Sequence, residues 1–402
     1  MYKKILKNSI ICLSSSLALS WTTVATLSDI NEISYAPIAA VNDSGNIAVV
    51  WTNGSYPDLS IQSSFYDGST WSAFATISGS GTHVNCICSI DSAGNVIYAW
   101  ETINGNNRYI YTAQKLINSS FETPILQSTS NYNCCVSLAI NPNGQVILGW
   151  VDFNQSVKTK TYTFGGSWSS INTVSTNSDY KGSLKIGMDS LGNGILIWGN
   201  YVDNSIKASQ TTGGFQSQWS TPATISSTGT NTLPSLSVDL GGNAVVAWTN
   251  IDDFSVSGAL YLDSSWIADT LISNDYAAYP SVAASGTEFF VSWSDQSTGG
   301  TAAAIYTDSM WQTPFLLSSE PLNDYPQSSY SSGISFNIWA DLNSGTVNVF
   351  EYPLDNSTPS PSVISEGDLN IYPYMITSST NKTIAAWQLM IGSNYVIQVN
   401  TN

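Results

Sequence analysis

The chain has 402 residues, only 10% of them charged, and a formal net charge of −17 from 28 acidic and 11 basic side chains. Such a field repels polyanions, so nucleic acid and an anionic membrane surface are excluded as partners, while cations and neutral glycans stay compatible. Intrinsic disorder is excluded too, because 42% hydrophobic residues with 14 Trp are ample for a core.

Residues 1–20 read as a secretory signal peptide. Lys3, Lys4 and Lys7 form a basic start, residues 10–19 a short apolar segment, and Ala18-Leu19-Ser20 offers small residues before a cut. Removing the three lysines takes the charge to −20. Cys12 follows Ile10-Ile11, not the small residue that a lipoprotein signal needs. No later apolar run approaches the ~20 residues of a membrane helix. The expectation is a secreted, periplasmic or cell-surface protein without membrane insertion, acting as a monomer.

From residue 21 onward one pattern recurs: an apolar alternation, Asp/Asn-x-x-Gly-Asn, then an apolar run ending in Trp. The Trp positions are 51, 100, 150, 198, 248, 293, 339 and 387, spaced by 45 to 50 residues, which defines eight repeats of about 48 residues. In the first copy, residues 36–41 alternate as a strand, Asn42-Asp43-Ser44-Gly45-Asn46 turns the chain, and residues 47–51 return. Glycine at the fourth place supplies the positive φ of the hairpin loop, and the leading Asp or Asn bonds the turn's own backbone. The same turn recurs at Asp91, Asn141, Asp189 and Asp239, so these residues are expected to form turns rather than to catalyse. A third strand follows (60–66), then a fourth led by an aromatic residue: Trp71, Phe121, Trp168, Trp219, Trp266 or Trp311; the copy at 361–365 lacks it.

Four short strands per unit with glycine-rich turns make a propeller blade, and the period predicts an all-β, eight-bladed β-propeller over residues 21–402, with seven blades as the alternative if the copy around Trp339 is displaced. An open β-solenoid is the competing architecture, but its repeats are shorter and need caps at both ends. The last copy has three strands, 372–376, 383–387 and 395–399, and then the chain ends. Residues 21–28, Trp-Thr-Thr-Val-Ala-Thr-Leu-Ser, match the missing fourth strand, so the N-terminal strand is expected to close the ring and remove its open edges.

On these repeats the chain resembles uncharacterised exported bacterial propellers built from Asp-x-x-Gly-Asn…Trp units. More distantly it is similar to the sialidase-type Asp-box propellers, through Tyr66-Asp67-Gly68-Ser69-Thr70-Trp71 and Tyr261-Leu262-Asp263-Ser264-Ser265-Trp266. Neither segment has the full Ser-x-Asp-x-Gly-x-Thr-Trp order. That family grips the substrate carboxylate with three arginines, whereas Arg108 is the only arginine here, which excludes sialidase chemistry of that kind.

In a propeller the loops from the fourth strand into the next blade and those after the second strand share the channel-mouth face. The first class carries recurring acids and tyrosines: Asp29, Tyr35, Asp179, Tyr180, Asp275, Tyr276, Tyr279, Asp324, Tyr325, Asp368 and Tyr372. Rings stack on the C–H face of a sugar and carboxylates accept from its hydroxyls, which makes these the candidate ligand-binding residues. The structural alternative is that Tyr-Pro sets the lead-in to each inner strand, with Tyr packed between blades. The second class begins Trp-x-Asn/Asp, at Asn53, Asp152, Asn200, Asn250, Asp295 and Asp341. Such oxygens suit calcium, but turn capping accounts for each of them locally.

Catalytic material is sparse. His83 is the only histidine, so triad and multi-histidine metal chemistry lack their residues. Paired carboxylates drawn from Glu32, Glu101, Glu288, Glu320 and Glu366 would serve a glycoside hydrolase or lyase, the alternative function. Cys86, Cys88, Cys134 and Cys135 start two consecutive inner strands; in an exported chain they are disulfide candidates, between those strands or as a vicinal pair, with copper or zinc ligation as the alternative. The reading that follows is a non-catalytic scaffold for a glycan or protein, with an adhesion module as a third option.

Overall fold

The computed structural model describes residues 21–176, 181–273, 276–319, 323–331, 334–353, 361–365 and 369–402, and every regular element among them is a β-strand. The expected signal peptide, Asp179, Tyr180, Asp275, Glu320, Glu366 and Asp368 lie outside the described residues.

Each repeat is a four-stranded antiparallel unit except the sixth, which has a fifth short strand at Met310–Trp311. In the first, Ser34–Val41, Ile47–Ser55, Asp58–Tyr66 and Ala75–Thr76 pair in chain order. The second strand is buried at every position from Ile47 to Asn53, hence its unbroken apolar run, because neighbouring units cover both of its faces. The hairpin into it is held by Asn42, whose Oδ1 accepts from the N–H groups of Ser44 (3.1 Å) and Asn46 (2.9 Å), while Gly45 takes φ +81°. Asp91, Asp189 and Asp239 do the same for Asn95, Asn193 and Asn243. These acids are turn formers, as expected.

The eight repeat tryptophans are each at most 1% exposed. Each packs onto the unit before its own: Trp100 against Ala48, Val50 and Ile61, Trp248 against Ile195, Ile197 and Ile206, Trp387 against Phe336, Ile338 and Val347. Trp51, in the first unit, packs onto the last, against Ile384, Ala386, Ile397 and Val399. One such side chain truncated to alanine costs roughly 3–5 kcal/mol. The last unit, Asn370–Thr377, Thr383–Ile391 and Asn394–Thr401, takes its fourth strand from the N-terminal segment: Ala25 pairs with Val399 and Thr26 with Gln398. Leu27 extends this pairing by donating its N–H to Ile397 O at 2.9 Å and is itself buried.

A regularity that alternation did not reveal sits near the start of every inner strand. There the register with the second strand slips across two residues. In seven units the first of the two has positive φ: Ala36, Asn85, Cys135, Ser183, Leu233, Tyr279 and Tyr372, between 47° and 61°. The second is covered, and in five units it is the proline at 37, 234, 280, 326 or 373. The bulge turns its first residue outward, so Tyr279 and Tyr372 are 40% and 54% exposed. At these two positions the proline fills the covered place and the tyrosine ring stands partly in solvent. In three units the freed N–H is caught by the residue after the repeat Trp of the preceding unit. Ala36 N–H donates to Gln388 Oε1 (2.9 Å), Cys135 N–H to Glu101 Oε1 (2.8 Å) and Tyr279 N–H to Thr249 Oγ1 (3.2 Å).

The expected disulfide between consecutive inner strands is also corrected: all four thiols are free, and no pair stands at bonding distance. Cys86 and Cys88 face the layer shared with the first unit, among Ala48, Val50 and Trp100. Cys135 instead packs toward Leu184, Leu196 and Trp198 on the far side of its own unit. Cys86 and Cys88 thus point into a different layer from Cys135.

Candidate functional site

The antiparallel order puts the Asx-Gly hairpins and the turns between third and fourth strands at one end of the units, and the loops after the second strand and those into the next unit at the other. At that second end the loops are stitched together by backbone hydrogen bonds. Gly54 N–H donates to Ile33 O, Ala277 N–H to Phe254 O and Gln296 N–H to Tyr276 O. In the first, fifth and sixth units the two classes thus lie side by side on one face.

Apolar exposure concentrates there. Ile30, Tyr56, Phe153, Val202, Ile251 and Phe254 are 46–77% exposed, and all lie in these loops. Together they give this end a set of exposed apolar side chains among polar ones. Its best-formed part spans the fifth and sixth units. Phe254 (46% exposed) and Tyr276 (62% exposed) stack with centroids 5.8 Å apart and planes 14° from parallel. Leu233 and Tyr279, the bulge residues of those two units, are 40% exposed. Asp252 and Asp253 precede Phe254 in the same loop; Asp252 Oδ2 accepts Thr230 N–H (2.8 Å) and Asp253 Oδ1 accepts Ser255 N–H (3.1 Å). Each carboxylate is oriented through one oxygen, and among the described residues the other has no hydrogen-bond partner.

The remaining sequence candidates divide. Asp29 is a loop cap, its Oδ1 accepting from Asn31 N–H and Nδ2, both at 2.9 Å. Tyr35 is half-buried against Tyr395, centroids 6.4 Å apart. Asp324 and Tyr325 fall in the inner strand Asn323–Ser331, at its bulge. Among the described candidates Tyr276, Tyr279 and Tyr372 are the ones exposed to solvent. Phe254 carried no repeat signal; only its place after Trp248 in a surface loop pointed to it.

The Asx residues of the second loop class cap their own turns. Asp152 Oδ1 accepts from Asn154 and Ser156 N–H, Asp295 Oδ1 from Ser297 N–H and Oγ, and Asp341 Oδ1 from Asn343 N–H, all within 2.9 Å. Hydrogen bonds from Ser297 and Thr298 hold the Asp295 carboxyl below its ordinary pKa, although its burial pulls the other way as the largest single effect. Asn53 differs, donating to Glu32 Oε2 at 2.6 Å and accepting from Ser34 Oγ. Among the described residues no group of three or more His, Cys, Asp or Glu is placed to hold a metal ion.

Of the glutamates raised as hydrolytic candidates, the three among the described residues, Glu32, Glu101 and Glu288, are occupied. Glu101 has no exposed surface; its Oε2 meets Arg108 Nη1 at 3.0 Å while its Oε1 receives Cys135 N–H. Glu32 serves Asn53, and Glu288 accepts the Tyr330 hydroxyl. At the hairpin end lies a cavity of about 620 Å³ lined by Asn42, Asp91, Asn141 and Asp239, whose oxygens already serve their turns.

By sequence, no protein-family model matches the chain and no curated protein is detectably similar to it. By structure it is similar to β-propellers. The BP39L lectin from Burkholderia pseudomallei superimposes with a TM-score of 0.59 at 13% identity, over 83% of this chain and all of that one. The Dos1 propeller does so with a TM-score of 0.59 at 10% identity, over 94% of each chain. A leech intramolecular trans-sialidase, at 9% identity over 87% of this chain and 73% of its own, reaches only 0.45. At such identities the likeness speaks for the propeller fold alone.

Proposed function

We propose that the eight units close into one eight-bladed ring and that the chain is an exported, non-catalytic scaffold binding a neutral glycan at the channel mouth. The observation that carries this reading is the exposed Phe254–Tyr276 platform beside Asp252 and Asp253. Flat rings at the surface suit the C–H face of a pyranose, and the unspent carboxylate oxygens suit its hydroxyls. The packing of Trp51 onto the last unit and the pairing of Ala25–Thr26 with the last strand support closure. A glycosidase reading gains no comparable support, since Glu32, Glu101 and Glu288 each have structural partners.

The test is a glycan-array screen of residues 21–402, with and without calcium, followed by titration of any hit against Phe254→Ala and Tyr276→Ala. Saturable binding of intact glycan is expected, and each substitution should weaken it by up to about tenfold, the ~0.5–1.5 kcal/mol of a stacking contact. Cleavage of the glycan would move the case to a hydrolase. Absence of binding in both conditions, or binding indifferent to both substitutions, would refute the assignment to this platform.

A further inference from the structure

The four thiols differ sharply in chemistry. Cys86 and Cys88 are 5% and 7% exposed in an apolar layer, and burial pushes the Cys86 thiol up to about 12, so both are inert. Cys134 and Cys135 are half-buried at the rim bulge, with their Sγ atoms 3.1 Å apart. Cys134 makes the last pair, with Val151, before the register shifts, so the peptide joining the two cysteines lies beyond the regular ladder. The two Sγ atoms are joined by a hydrogen bond, and that contact lowers the Cys135 pKa, opposed by burial and Glu101 and aided by the N–H groups of Ser183 and Leu184. The same contact raises Cys134. Two half-buried thiols of unequal acidity thus stand within reach of one another, 3.1 Å apart.

We propose that Cys134–Cys135 is a thiol–disulfide exchange site that takes small-molecule disulfides at the channel rim and closes reversibly to a vicinal disulfide. The Cys135 thiolate attacks one sulfur of R–S–S–R, forming a mixed disulfide and expelling R–S⁻. The Cys134 proton passes to that leaving group, and Cys134 Sγ displaces the second R–S⁻, which is protonated by solvent. Two protein thiols are oxidised to one S–S bond as the small disulfide is reduced to two thiols. Closure moves the sulfurs from 3.1 Å to about 2.05 Å. Adjacent Cα atoms stand about 3.8 Å apart across a trans peptide, below the roughly 4.4–6.8 Å usual for a disulfide. The bond is therefore strained, which makes it readily reduced and suited to switching rather than to holding the fold. Because Cys135 N–H is the donor to Glu101 Oε1, closure also perturbs the latch between the second and third units.

This inference is independent of the glycan reading. The experiment equilibrates reduced protein, without oxygen, in a series of reduced-to-oxidised glutathione ratios, quenches with acid, alkylates and maps the peptides. Both thiols should disappear together in one peptide two hydrogens lighter, and dithiothreitol should restore them; Cys86 and Cys88 should be alkylated only after denaturation. Cys134→Ser should stop at a glutathione adduct on Cys135. A persistent adduct in the unsubstituted protein, a link from either residue to Cys86 or Cys88, or thiols that resist every ratio would overturn the proposal.

Discussion

Removing Arg108 should destabilise the protein more than neutralising the carboxylate it serves. Glu101 has no exposed surface, and its two oxygens are divided between Arg108 Nη1 at 3.0 Å and Cys135 N–H at 2.8 Å. Arg108 keeps 34% of its side chain in solvent. Arg108→Ala strands a buried carboxylate with backbone donors alone, and breaking a buried ion pair in that sense costs roughly 3–5 kcal/mol. Glu101→Gln keeps an acceptor for the Cys135 N–H and leaves the guanidinium where water already reaches it, so the loss should be about 1–2 kcal/mol, that of a weakened charged hydrogen bond. Urea unfolding of both variants and of the double variant measures this, with equal m-values required for comparison. The double variant should recover part of the Arg108→Ala loss, because it removes the stranded charge. A loss for Arg108→Ala no larger than that for Glu101→Gln would refute the reasoning.

His83 should make stability fall with acidity. Burial lowers its pKa against the opposing pull of the Gly79 and Ser80 backbone acceptors, so the folded chain holds the neutral ring. Because the folded pKa lies below the unfolded value of about 6.5, the neutral ring's contribution is complete above that pH and is lost as pH falls through the folded pKa. Urea midpoints between pH 7.5 and 5 should drop less in His83→Gln than in the parent; equal drops would count against it. Gly192→Ala should cost more than Gly45→Ala, although both positions have positive φ. A Cβ at 192 would lie 2.7 Å from Phe215 Cβ, whereas nothing lies within 4 Å at 45. The shared left-handed penalty is about 1–2 kcal/mol, and paired thermal melts should show the excess at 192.

Much of the architecture is carried by short-range chemistry and is therefore readable along the chain. The period of the repeat tryptophans, the Asx-Gly hairpins and the match of residues 21–28 to a missing fourth strand all follow from alternation, φ preference and local hydrogen bonding. Alternation says that a residue faces a neighbour, not which neighbour. That is why the cysteines on consecutive strands suggested a cross-link, although Cys86 and Cys135 face opposite layers. The bulge was likewise hidden: the prolines at 280 and 373 hinted at a constrained backbone, but only pairing with the second strand shows the slip that turns Tyr279 and Tyr372 outward. Tertiary structure alone brought Phe254 onto Tyr276 and Glu101 to the N–H of Cys135, because each contact joins segments of different units whose distance in space no local preference encodes.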